Sequence, residues 1–201
     1  MLKNTKFVLE LYWINLKGAT MATNKKISEA IVKIAPYLDS KFPRNVVSIC
    51  EKLNIQVSET KDLPDNISGL IYKDGTKCYI LINAEQSAGR KSFTIAHELG
   101  HYLLHKCKLE QDSEIISSAK GIDMNSPAYI ARQDINASSS KEYRTLETEA
   151  NNFAAELLMP EKEFLKQCIC QDSIDDIANY FGVSISAATI RADRVGGLYF
   201  L

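Results

Sequence analysis

His97-Glu98-Leu99-Gly100-His101 decides how this chain is read. The two histidines are four residues apart, one turn of a helix, so both imidazoles lie on one face and can reach a single metal ion. Glu98 sits beside the first histidine and can take a proton from an attacking water without ligating. The chain holds three histidines in 201 residues. At its histidine and glutamate frequencies, H-E-x-x-H arises by chance about 0.003 times in a chain of this length. An ordinary amphipathic helix with incidental histidines is the plain alternative.

The flanks of the pentapeptide agree with a helix. Phe93, Ile95, Ala96, Leu99, Leu103 and Leu104 give apolar ridges over 89–105. Gly100 costs about 1 kcal/mol against alanine inside a helix, so its presence points to close packing against the backbone. Upstream, apolar spacing predicts helices over 25–40 and near 44–53, with Asn54 as a stop, then a short strand at Ile55-Gln56-Val57. Ile67–Tyr72 and Cys78–Ile82 are β-rich runs joined at Asp74-Gly75, a hairpin signal. The second run is almost continuously apolar. It is expected to be covered on both faces or to form the sheet edge beside the site.

Downstream, 106–143 loses periodicity and reads as an insertion or lid. Helix returns at 145–158, with Thr145 or Thr148 as N-cap and Ala150, Phe153, Ala154, Leu157 and Leu158 as its buried stripe, and Pro160 ends it. A short helix follows at 161–168. Residues 174–181 and 185–194 then read as helix, tight turn, helix, resembling a helix-turn-helix. From 171 to 197 four aspartates (172, 175, 176, 193) face two arginines (191, 194), a local charge of 2 − 4 = −2. A DNA reader should be basic, so a packing or partner-docking role is expected rather than direct DNA binding.

Composition sets the outer bounds. Hydrophobic residues make up 45% and charged residues 24%, an ordinary balance for one domain with a real core. The net charge of −1 gives no footprint for nucleic acid or an anionic membrane. No apolar run is long enough to span a bilayer. Phe7-Val8-Leu9 and Leu11–Ile14 are interrupted by Glu10, and no cleavage site follows, so the N-terminus is read as non-secretory. Residues 1–24 are expected to be an N-terminal extension, with Met21 a candidate start of translation. Five cysteines, odd in number and irregular in spacing, fit a reducing cytosol. Cys168-Ile169-Cys170 is a C-x-C pair without a second pair nearby, which weighs against metal binding.

Two histidines leave a catalytic zinc site one protein ligand short. His105 lies eight residues from His97, about 12 Å along a helix axis, too far to share an ion held by bonds of about 2 Å. It is expected to be a packing or supporting residue. The remaining route is a carboxylate from another helix, as in thermolysin-like His₂Glu sites. The 145–158 helix offers Glu147, Glu149 and Glu156. Glu147 and Glu149 are about 200° apart on it and cannot both face the metal.

His97–His105, followed by Glu149-Ala150-Asn151-Asn152-Phe153-Ala154-Ala155-Glu156-Leu157-Leu158-Met159-Pro160, resembles the ImmA/IrrE family of bacterial metallopeptidases. The resemblance covers about 25–165 and the C-terminal helical piece. It implies an α+β, zincin-like, mainly helical domain at 25–165 with a small hairpin sheet, followed by a helix-turn-helix-like subdomain at 166–201. It implies Zn2+ held by His97, His101 and Glu149, with Glu98 as general base. It also implies a cytoplasmic endopeptidase that cuts a helix-turn-helix repressor or antitoxin encoded nearby. A regulator that binds such a partner without cutting it is the alternative. Tyr102, His105 and Tyr143 are candidate oxyanion stabilisers, and the 78–82 strand is a candidate for binding substrate by strand addition.

Overall fold

The computed structural model describes residues 25–63, 67–74, 76–105 and 141–197. The N-terminal extension and most of the 106–143 insertion lie outside these residues.

Helix α1, Lys25–Ile34, buries Ile27, Ala30 and Ile34. It is shorter than its apolar spacing predicts. Pro36 falls in a single 3₁₀ turn, Ala35–Tyr37, because proline lacks the N–H that would continue the α-helix. Asn45 caps helix α2, Val46–Lys52, by accepting from the Ser48 N–H at 3.0 Å. The chain then reverses at Asn54 (φ 57°), a left-handed position that asparagine tolerates.

Three strands follow: β1 (Ile55–Thr60), β2 (Gly69–Asp74) and β3 (Lys77–Asn83). The hairpin is present, with β2 and β3 antiparallel and Tyr72 opposite Tyr79. Their rings stack at 5.1 Å, a cross-strand pair. β1 pairs in parallel with β3, so the order is β1-β3-β2. This corrects one of the two expectations for the apolar strand. β3 is central rather than an edge, and its backbone is committed on both sides, so a substrate strand cannot add to it. The expectation of cover on both faces holds where Ile80, Leu81 and Ile82 are buried in succession.

Helix α3, Ala88–Leu104, carries the H-E-x-x-H pentapeptide across the sheet. Lys91 ties it to β1 through Glu59 at 2.7 Å. Helix α4 runs Lys141–Leu158. It starts before Thr145, so neither that threonine nor Thr148 is a cap; the Thr148 hydroxyl donates to the Arg144 carbonyl inside the helix. Helix α5 (Glu161–Cys170) follows Pro160. Cys168 on it is buried, its thiol pushed up to about 11 by burial, while Cys170 is exposed. Two residues apart on a helix, they point in different directions and cannot share an ion.

Helices α6 (Ile174–Phe181) and α7 (Ile185–Arg194) form the expected pair. Ser173 and Ser184 cap them, and Gly182 (φ 63°) makes the left-handed turn between. One apolar core runs through all of this. Ile80 and Ile82 of the sheet, Ala96 and Leu99 of α3, Phe153 and Leu157 of α4, and Phe181, Ala188 and Ala192 of the last two helices belong to it. Among the described residues the architecture is α+β and mainly helical.

Gly100 is where α3 and α4 touch. A Cβ there would lie 3.1 Å from Phe153 Cδ1 and 3.2 Å from both Cα and O of Ala150. Backbone and a fully buried ring cannot move aside, so Gly100→Ala is expected to lose stability although alanine is the better helix former. The expected loss is about 1–2 kcal/mol, read as a lowered midpoint in urea unfolding. An unchanged or raised midpoint would show that the helices have room to part.

Candidate metal centre

The pentapeptide forms a helix because its apolar neighbours recur at helical spacing, and that helix turns Ala96, Leu99 and Gly100 into the core. His97 and His101 emerge on the face toward α4, their side chains 16% and 13% exposed. As α3 runs forward its partners on α4 run backward. Asn151 lies beside His97, Ala150 beside Gly100, and Glu149 beside His105. The small side chains of Gly100 and Ala150 let the two backbones approach, which brings carboxylates of α4 to the histidines.

The carboxylate that reaches the pair is Glu147. Its Oε1 lies 3.1 Å from His101 Nε2 and its Oε2 3.3 Å from His97 Nε2. The two Nε2 atoms are 3.0 Å apart. Glu149, the third ligand that the resemblance implies, is placed elsewhere. Its Oε2 accepts from His105 Nε2 at 2.9 Å, and Lys26 Nζ approaches its Oε1 at 3.3 Å. Glu147 and Glu149 do leave the helix in different directions, as the 200° between them requires. His105 is buried against His101, its Nδ1 3.1 Å from His101 Nδ1, and stands outside the triangle. Its ring nitrogens are thereby committed, so it is not aimed at a substrate oxyanion. Tyr102 packs against the apolar core, and the Tyr143 side chain lies outside the described residues.

Four tetrahedral ligands at 2.0–2.1 Å from zinc stand about 3.3 Å from one another. The 3.0 Å between the two Nε2 atoms, and the 3.1 and 3.3 Å from them to the two oxygens of Glu147, are close to that spacing. His97, His101 and Glu147 are the group among the described residues whose ligand atoms converge in this way. Two imidazole lone pairs and a carboxylate facing one another repel unless a cation lies among them. The electrostatics show this demand. Burial by itself would keep His97 neutral, but hydrogen bonding to Glu147 and the charges of Glu98 and Glu147 outweigh it and raise its pKa. Burial likewise opposes the charge on Glu147, yet the hydrogen bonds and charges of His101 and His97 hold its carboxyl well below the usual carboxylate range. His105 differs. Burial and the neighbouring His101 lower its pKa despite Glu149, which favours the neutral ring.

Glu98 is 5% exposed, and its Oε2 is buried with no hydrogen-bond partner. An orphaned buried carboxylate oxygen is costly, so its place beside His97 calls for a functional reason. The residues therefore fit a metal of the zinc type, with two nitrogens and one carboxylate as ligands and a free carboxylate next to them.

Comparison with known proteins points to a peptidase family. Residues 50–193 match the model of the IrrE N-terminal-like domain, a peptidase family. The Metallopeptidase ImmA of Bacillus subtilis (strain 168) is 27% identical over 179 residues, covering 88% of this chain and 90% of that protein. An uncharacterized immunity region protein 2 of Bacillus phage phi105 is 29% identical over 147 residues, covering 73% of this chain and 78% of that one. A Mycobacterium tuberculosis transcriptional regulator shares the fold with a TM-score of 0.55 at 20% identity; the match covers 85% of this chain and about half of that one, 47%.

Proposed function

Because the chain belongs to the ImmA/IrrE family of metallopeptidases, we propose that it is a zinc endopeptidase acting on one peptide bond of a helix-turn-helix repressor or antitoxin encoded nearby. Cutting that protein would relieve repression of a mobile-element or stress operon. The convergence of His97, His101 and Glu147, with the buried, unpartnered Oε2 of Glu98 on the residue next to His97, carries this reading. The immunity-region name of a phage relative supports a regulatory protein as substrate.

His97 and His101 would hold the metal through Nε2 and Glu147 through its carboxylate. Bound there, zinc supplies Lewis acidity that polarises a carbonyl and eases ionisation of water. The chain's own residues do the rest. Glu98 Oε2, buried and free of other donors, accepts a proton from the attacking water and delivers it to the leaving amine. The burial of Glu98 keeps bulk water from competing for that oxygen.

Direct DNA binding is not part of this reading. Both arginines of α7 are turned onto α4: Arg191 holds Glu156 and the Met159 carbonyl, and Arg194 holds Asn152. No described helix is long and apolar enough to cross a membrane.

The site assignment is tested by zinc titration of the metal-stripped protein. Glu147→Gln is expected to weaken zinc by more than the 10–100-fold that loss of a supporting residue costs. Zinc bound by Glu147→Gln as tightly as by the wild type would overturn the assignment. The substrate is tested by incubating the zinc protein with the repressor encoded beside it and reading new N-termini by mass spectrometry. One new terminus that disappears in Glu147→Gln is the expected result; an intact repressor would overturn the substrate reading.

A further inference from the structure

His101 and His97 meet their outer partners in different ways. His97 Nδ1 lies 2.9 Å from Asn151 Oδ1, a carbonyl oxygen that can only accept, so Nδ1 carries a proton and, in the neutral ring, Nε2 is the nitrogen with the lone pair. His101 Nδ1 instead faces a ring nitrogen, His105 Nδ1 at 3.1 Å. Either nitrogen could be the donor, so this contact alone leaves the His101 tautomer open. The far side of His105 favours one arrangement. Its Nε2 lies 2.9 Å from Glu149 Oε2, and an ionised carboxylate only accepts. With the His105 proton on Nε2, its Nδ1 bears a lone pair and His101 can donate to it from Nδ1; Glu147 Oε1, 3.1 Å from His101 Nε2, draws the same proton to the other side of the ring, and a cation among the three ligands removes that competition.

We propose that His105 and Glu149 are positioning residues that act through His101, holding its proton on Nδ1 so that its Nε2 lone pair faces Glu147 and the metal. This rests on the metal-site reading above and assigns a role to a carboxylate that reading leaves aside. The relay runs Glu149, His105, His101, with Lys26 at 3.3 Å from the other Glu149 oxygen. His101 is on α3, His105 is the C-cap of that helix, Glu149 is on α4 and Lys26 on α1; the two rings are one helical turn apart, so the backbone that builds the metal triangle also sets the relay. Metal-ligating histidines usually pass their second N–H straight to a carboxylate or carbonyl. Here a second imidazole is interposed, and its own tautomer must be fixed for the ligand's to be fixed.

The relay needs an acceptor at position 149, not a negative charge. Glu149→Gln keeps a carbonyl oxygen for the His105 Nε2–H, whereas Glu149→Leu removes it. The test reads the His101 ring nitrogens by 15N NMR in metal-free protein carrying Glu147→Ala, where no carboxylate faces His101 Nε2, at about pH 8.5 where ordinary imidazoles are neutral. In that background the chain with Glu149 intact and Glu149→Gln are expected to show the His101 proton on Nδ1. Glu149→Leu is expected to show a mixture of tautomers there and, with Glu147 intact, to bind zinc about 10–100-fold more weakly, with Glu149→Gln within a few-fold of wild type. Should Glu149→Leu fail to fold, His105→Phe supplies the same readout from the other end of the relay.

A single Nδ1–H tautomer in both Glu149→Leu and His105→Phe would overturn the proposal. So would zinc affinity lost equally in Glu149→Gln and Glu149→Leu, because that pattern marks a ligand or a needed charge. The NMR signature is read without metal or substrate, so it stands or falls separately from the peptidase reading.

Discussion

Glu98→Gln is expected to keep the fold and the zinc and to lose peptide-bond cleavage. The side chain is nearly isosteric, and its amide can occupy the same buried place beside His97. It cannot accept a proton. General-base catalysis contributes about 10²–10⁴-fold, so cleavage of the repressor should slow by that factor while substrate binding holds. The measurement is single-turnover cleavage at saturating enzyme, with metal content measured on the same samples. A variant that keeps zinc and cuts at the wild-type rate would remove Glu98 from the mechanism. Loss of zinc together with activity would instead make Glu98 a structural support of the site.

Arg191→Met is expected to destabilise the protein by about 3 kcal/mol, the usual scale for breaking a buried ion pair on one side. Arg191 is 8% exposed, donates from Nε to the Met159 carbonyl at 3.0 Å and pairs with Glu156. Methionine fills similar space but strands both acceptors. For a chain of this size the thermal midpoint should fall by roughly 6–12 °C, at about 2–4 °C per kcal/mol. Adding Glu156→Leu should recover part of the loss, because two apolar side chains can replace a buried pair more cheaply than one partner can be left alone. A shift under about 2 °C in Arg191→Met would mean that water replaces the pair at the surface.

Most of the local structure was legible in the sequence, and the reasons are visible residue by residue. The 3.6-residue spacing of Ile95, Ala96 and Leu99 set α3. Ser173, Gly182 and Ser184 bounded α6 and α7 through their own hydrogen bonds and backbone geometry. What was not legible is non-local. β1 joins the sheet by pairing in parallel with β3, 23 residues further on in register (Ile55 with Cys78), and no short-range pattern encodes that pairing. The helix start at Lys141 was hidden by Thr145, a good cap type used here as an interior residue.

Which carboxylate faces the histidines could have been read from the sequence. Ala150, Phe153, Ala154, Leu157 and Leu158 mark the buried face of α4. At 100° per residue, Glu147 lies about 50° from the centre of that face and Glu149 about 110°. The face directed at α3 is the one that meets the histidines, so the stripe favoured Glu147.

The two histidines and the facing carboxylate come from helices joined by a long stretch of chain. His101 and Glu147 are 147 − 101 = 46 positions apart in sequence. An ion bound by both would act as a removable stitch across that span, disfavouring unfolded chains in which the ends drift apart. At a free concentration a thousand times its dissociation constant it would add about 4 kcal/mol to the folded state. Metal supply would then govern how long the protein survives as well as whether it cuts.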